Sequence, residues 1–302
     1  MTEGQPPGGD PRQSELITLA QSLRPELHRY CARLMGSVID GEDIVQDTLA
    51  KALVAADDLG DVPSLRAWLF RVAHNRAIDL LRSRAIRAAE PIETAHGLAD
   101  DATPDPVETL MRRDAIKTAV SRFAELPVLQ RSVIILKDVL DEPLADIATL
   151  LGLSVDSVKA HLSRGRTRLR EINQTKPPQL SAAPTSEAAA RYIALFNGRD
   201  WDGLRALLAH DVRLSQSTYP VRTGAADVGM FFGIYSKMEG LWLAPARLEG
   251  REVIAVFENQ ADPHPSYFMW LEWRDDKISF IRDYRYVRYV LADAELVLAP
   301  GV

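Results

Sequence analysis

The chain has 302 residues, a formal net charge of -6, 46% hydrophobic and 26% charged residues, which suits a globular protein of two or three domains. Its single cysteine, Cys31, excludes an internal disulfide, and no apolar run approaches the roughly 20 residues needed to cross a bilayer. The polar, Pro/Gly-rich opening MTEGQPPGGDPRQ lacks the blocks of a secretory signal, so a disordered lead-in over 1–15 and a cytoplasmic location are expected.

Residues 16–85 read as all-helical. Leu16, Leu19, Leu23, Leu27 and Tyr30 recur at three- and four-residue spacing. Ile44, Val45, Leu49, Ala52 and Leu53 do the same, as do Trp68, Leu69, Val72, Ala73, Ile78 and Leu81. Trp68 shares its spacing with Leu69 and Val72, which favours a core position over stacking on a base. His74 is expected at the surface. Residues 86–110 (…AEPIETAHGLADDATPDPVE) have several prolines and acids and no sustained period, and read as a linker.

Residues 111–172 form a second helical piece, with a break at Pro127 between the stripe Ile116, Val120, Phe123, Leu126 and the stripe Val133, Ile134, Leu136, Leu140. This piece carries eleven Lys/Arg against eight Asp/Glu, a net +3, whereas residues 185–302 carry thirteen against sixteen, a net -3. Near its end, Leu144, Ile147, Ala148 and Leu151 make one apolar stripe. Gly152 can take a left-handed helix end, and Ser154 suits an N-cap. The next helix is expected to bury Val155, Val158, Leu162 and Leu169. Two helices joined by a three-residue, glycine-containing turn make a helix-turn-helix. The second helix presents small or hydrogen-bonding residues early and arginines later. That order suits base edges and then phosphates; the plainer reading is a surface helix with cations at its C-terminal end.

Residues 173–186 (NQTKPPQLSAAPTS) read as a second linker. Residues 187–302 change character. A helical region around 187–209 precedes aromatic and β-branched runs, REVIAVFEN, SYFMWLEWR and KISFIRDYRYVRYVL. An α+β domain with a mostly antiparallel sheet is expected.

With these residues in view, 16–172 resembles the extracytoplasmic-function (ECF) group of bacterial sigma factors. DGEDIVQDTLAKAL (40–53) is similar to the acidic helix that docks on the RNA polymerase clamp. SLRAWLFRVAHNRAIDLLRSR (64–84) is similar to the helix and preceding loop, here Asp57–Ser64, that melt and read the minus-ten element. ELPVLQRSVIILKDVLDEPLADIATLLGLSVDSVKAHLSRGRTRLRE (125–171) is similar to the domain that reads the minus-thirty-five element. The resemblance implies polymerase binding by Asp43, Ile44, Gln46 and Asp47. It implies DNA binding by Asn75, Arg76, Arg82 and Arg84 in the first domain and by Ser157, Lys159, Ser163, Arg164, Arg166 and Arg168 in the second. The partners it implies are core RNA polymerase and promoter DNA, with no cofactor, no metal and no membrane.

AARYIALFNGRDWDGLRALLAHDVRL (189–214) and a terminal strand pair within 277–291 resemble the SnoaL-like fold, a cone-shaped barrel of curved sheet closed by helices. That implies a regulatory domain fused to the sigma domains and a candidate pocket for a small-molecule ligand around His210, Asp211, Asp283 and Tyr284. His210 and Asp211 equally suit a turn, and no acid, base and orienting partner can be assembled from the sequence, so no catalytic residue is expected. Two alternatives stay open at this point: a helix-turn-helix regulator with a ligand-sensing tail, and a SnoaL-like enzyme fused to a DNA-binding module.

Overall fold

The computed structural model describes residues 18–55, 64–88, 106–175, 184–217 and 219–299. The expected disordered lead-in, nearly all of the loop 57–64 and most of the linker 86–110 lie outside the described residues. The chain divides into two compact units, 1–177 and 178–302, and the boundary falls inside the expected second linker.

The first unit is all helical. α1 (Arg24–Met35), α2 (Val38–Val54) and α3 (Leu65–Ala88) come from the first expected domain. Ser37 caps α2, its side chain accepting from the Asp40 amide at 3.1 Å. At Gly41 a Cβ would sit 2.6 Å from the Ala32 backbone, so only glycine lets α1 and α2 approach this closely.

The second expected domain supplies α4 (Pro106–Lys117), a 3-10 segment (Val120–Glu125), α5 (Val128–Ile134) continuing into a π segment (Ile135–Val139), α6 (Leu144–Leu151) and α7 (Val155–Gln174). The break at Pro127 stands as expected, while Ile116, placed in the stripe by sequence, is 49% exposed.

These two helical stretches share one apolar core. It runs from Leu27, Tyr30, Leu34, Ile44 and Leu69 to Phe123, Val133, Leu136, Val158 and Leu169. Trp68 packs against it. Arg131 stitches the stretches together. Its guanidinium donates to the carbonyls of Leu34 (2.6 Å), Ala124 (2.7 Å) and Leu126 (2.8 Å), and burial lowers its pKa to about 10. Arg66 adds a second stitch, pairing with both Glu26 and Glu142.

The second unit is α+β. α8 (Glu187–Asn197) and α9 (Trp201–Ala206) lead into a seven-stranded sheet of order β2-β1-β6-β5-β4-β3-β7. Its strands are β1 (Leu208–Ser215), β2 (Arg222–Thr223), β3 (Trp242–Leu248), β4 (Arg251–Phe257), β5 (Tyr267–Arg274), β6 (Lys277–Asp283) and β7 (Leu296–Leu298). The β1–β6 pair is parallel and the others are antiparallel. α10 (Ala225–Tyr235) and β3 were not legible in the sequence. The expected strand pair within 277–291 is β6 followed by a turn and the short helix α11 (Tyr289–Ala292). Tyr192, Phe196, Phe231, Phe232 and Tyr235 from the helices pack on Leu243, Ile254, Val256, Met269 and Ile281 of the sheet.

Candidate nucleic-acid and polymerase interfaces

The helix-turn-helix is built as its residue order dictates. α6 ends at Gly152, left-handed with φ 67°, and Ser154 caps α7 by accepting from the Ser157 amide at 3.1 Å. Val158, Leu162, Leu169 and Ile172 are buried. Val155 is not part of that stripe; it is 38% exposed because the first turn of α7 projects past the core. Ala160 is buried as well.

Ser163, Thr167, Arg168 and Arg170 are exposed, and Ser157, Lys159 and Arg164 are half-buried. Ser163, Arg164, Thr167 and Arg168 line a groove of about 370 Å³ with Pro127, Gln130 and Glu171. Arg168 pairs with Glu171 at 3.1 Å, a solvent-screened contact of small worth.

Arg166 corrects the sequence expectation. Its Nε and Nη2 donate to the two carboxylate oxygens of Asp138 in the π segment, at 2.9 and 2.6 Å. The side chains are 14% and 2% exposed. This arginine holds α7 to its scaffold rather than offering its fork to a phosphate. The signal was present: Arg166 lies four residues after Leu162 and three before Leu169, on the flank of the buried stripe.

On α2, Asp43 and Asp47 are exposed and Gln46 is half-buried, one helical face. Ile44 is fully buried in the core, which removes it from the expected polymerase-docking set. Glu42 is also buried, paired with Arg24 at 2.7 Å.

On α3, Asn75, Arg82 and Arg84 are exposed and Arg76 is half-buried. Two of these cations face acids of α2: Arg76 Nε lies 2.8 Å from Asp47, and Arg84 Nη1 lies 2.7 Å from Asp40. The structure thus joins an expected polymerase contact to an expected DNA contact. His74 is not at the surface. It is buried, its Nδ1 bonded to the Tyr30 hydroxyl at 2.7 Å, and burial together with the Arg82 charge lowers its pKa to about 4.

The four candidate pocket residues of the second unit do not come together. His210 and Asp211 are exposed on β1, and Arg274 pairs with Asp211. Tyr284 is buried against Phe268, with ring centroids 4.2 Å apart. Asp283 lies in a separate polar network. It is fully buried and accepts from Gln216 Nε2 (2.8 Å), the Tyr235 hydroxyl (3.1 Å) and the Arg285 amide (3.0 Å). Burial raises its pKa. Tyr267 extends the network, its hydroxyl 2.9 Å from that of Tyr235. Gln216 follows β1, Tyr235 ends α10 and Tyr267 opens β5, and no local motif in the sequence marks them. No group of His, Cys, Asp or Glu among the described residues is placed to hold a metal. No helix among them is long and apolar enough to cross a membrane.

Comparison with known proteins agrees with this geometry. The pattern for Sigma-70 region 2 matches residues 19–86, and that for Sigma-70, region 4 matches residues 119–169. The ECF RNA polymerase sigma factor SigG of Mycobacterium tuberculosis is 32% identical over 220 residues, 65% of this chain and 59% of that protein. The chain therefore spans less than two thirds of that relative's length. The ECF RNA polymerase sigma factor SigL of the same organism is 35% identical over 155 residues, 50% of this chain and 86% of that protein. The second unit is similar to the crystal structure of a putative ketosteroid isomerase from Kribbella flavida, at 28% identity, over 32% of this chain and 73% of that one, with a TM-score of 0.26. With both sigma-70 regions in order and the SigL match spanning most of that relative, the chain belongs to the ECF RNA polymerase sigma factors.

Proposed function

We propose that this chain is a promoter-specificity subunit of bacterial RNA polymerase, acting in the cytoplasm. Asp43, Gln46 and Asp47 dock on core polymerase. Asn75, Arg76, Arg82 and Arg84 engage the minus-ten region, where cations hold backbone phosphates while bases are captured. Ser157, Lys159, Ser163, Arg164 and Arg168 engage the minus-thirty-five element. The observation that carries this reading is the capped helix-turn-helix, whose second helix shows small polar residues and cations on its open face. The assigned work is binding and positioning, with no catalytic residue.

The reading requires the first unit to open. Elements about 25 base pairs apart are separated by about 85 Å of duplex, at about 3.4 Å per step. A compact unit of 177 residues has a radius of gyration of about 16 Å, too small to reach both. The Arg131 and Arg66 stitches are the contacts that opening must break. Tethering by polymerase then supplies affinity that neither helical module has alone.

The second unit is assigned a regulatory role and is the candidate seat of a small-molecule ligand. Titrating the protein against core polymerase tests the first claim. Saturable binding that stimulates initiation supports it; tight duplex binding with no affinity for core polymerase identifies a repressor instead. Removing residues 178–302 tests the second, and transcription identical to that of the full chain refutes regulation.

A further inference from the structure

The helices of the second unit cover one side of the sheet, the side of Ile254, Val256, Met269, Leu271 and Ile281. Side chains alternate along a strand, so the residues between these form the opposite face. The register shows what lies there. Arg213 of β1 stands opposite Phe280 of β6, Phe280 stands opposite Glu272 of β5, and Arg282 stands opposite Trp270. Four side chains of this face form a row across four neighbouring strands. The Arg213 guanidinium lies over the Phe280 ring (5.3 Å), Phe280 meets Trp270 edge to face (6.4 Å), and the Arg251 guanidinium of β4 lies over Trp270 (5.2 Å).

Further along the same strands the face is sealed. Phe268 of β5 and Ala255 of β4, opposite each other, are fully buried, and Phe268 stacks on Tyr284 at 4.2 Å. The row itself is open: Trp270 and Phe280 are half-buried and Arg213 is exposed. Arg213 has no acidic partner among the described residues. The local charge is positive although residues 185–302 carry a net -3. Arg213, Arg251 and Arg282 face only Glu272, because Asp211 and Arg274 pair with each other.

This chemistry selects an occupant. A second copy of the face would set arginines against arginines. An acidic peptide would use the cations and leave the flat rings idle. A single-stranded nucleic acid uses both, with phosphates on the guanidinium groups and bases on the rings. Four strands about 4.8 Å apart span about 14 Å, and sheet platforms of that width stack two or three bases. A duplex keeps its bases inside the stack and out of reach.

We propose that this face of the second unit binds single-stranded DNA, with bases stacked on Trp270 and Phe280 and phosphates held by Arg213 and Arg251. The strand it takes is one that promoter opening exposes; that source, and only that, rests on the reading of the first unit.

The test titrates the full chain with a fluorescent oligothymidylate about 12 nucleotides long, within the span such sites cover. A background of Arg76→Ala and Arg82→Ala removes cations of the first unit. Trp270→Ala is expected to weaken binding about tenfold, the worth of one stacked base. Arg213→Ala, a change at an exposed side chain, is expected to lower the slope of log K against log salt by about 0.7, and Glu272→Lys to raise it by as much. With iodouracil in place of thymine, irradiation is expected to link the strand to Trp270 or Phe280. Crosslinks confined to the first unit, binding unchanged by both Trp270→Ala and Arg213→Ala, or equal affinity for a duplex of like length overturns the proposal. So does self-association of the chain that Trp270→Ala abolishes, which identifies the face as a contact between copies. Failure to initiate from any promoter would refute the first-unit reading while these binding results still establish the site.

Discussion

Replacing Arg166 by alanine separates two roles that the sequence leaves merged. A phosphate contact costs affinity almost uniformly across DNA sequences and lowers the slope of log K against log salt by about 0.9. A buried structural pair behaves differently. Two Arg166 bonds end on Asp138, at 2.9 and 2.6 Å, and the carboxylate is 2% exposed. Removing one partner strands the other charge away from water, which costs about 3–5 kcal/mol. Against a total stability of about 5–15 kcal/mol, that is a large fraction. Urea unfolding of Arg166→Ala, Asp138→Ala and the double variant measures it, and the double variant is expected to lose little more than either single one. Binding by the folded fraction of Arg166→Ala should keep the salt slope of the parent. A variant of parental stability whose slope falls by about one would refute the structural assignment and return Arg166 to the phosphate-contacting set.

Lys159→Ala with Arg164→Ala should weaken promoter binding and lower the salt slope by up to about 1.8 while leaving the urea midpoint near that of the parent; an unchanged slope would remove both from the DNA interface. Lys at positions 43 and 47 in place of the two aspartates should reduce affinity for core polymerase with the helical circular dichroism preserved, and equal affinity would refute the docking face. His74 makes stability depend on pH. Its folded pKa of about 4 lies below the unfolded 6.5, so its contribution is complete above pH 6.5 and is lost as pH falls toward 4. The loss amounts to about 3 kcal/mol at about 1.4 per unit. His74→Gln should flatten the stability profile over that window, and an equally steep profile would show that other groups set it.

Much of the first unit was legible because its signals are local. Gly152 and Ser154 announce the end of one helix and the start of the next within three residues, and both act as their chemistry requires. The acids of α2 could be read as a face, but the family resemblance set Ile44 beside them although its spacing with Val45 and Leu49 already put it in the apolar stripe, and packing shows that it belongs to the core. His74 was misplaced for a related reason. A polar residue in a helical stripe reads as surface until its partner appears, and that partner, Tyr30, is 44 residues away. Arg166 was open to a better reading, since its phase on α7 already set it beside Leu162 and Leu169. The second unit was less legible. α10 carries Phe231, Phe232, Tyr235 and also exposed Met230 and Ile234, so its apolar residues do not confine themselves to one face. The network around Asp283 joins residues as far apart as Gln216 and Asp283, a juxtaposition that β1–β6 pairing creates and no local pattern foretells.

Run-off transcription with core polymerase and a promoter library tests the central claim most directly. The account predicts that the chain directs initiation from a defined set of promoters, that Lys at positions 43 and 47 lowers it through polymerase binding, and that Ala at positions 159 and 164 lowers it through the upstream element. Sequence-specific duplex binding that proceeds without polymerase, with no initiation from any template, would contradict it.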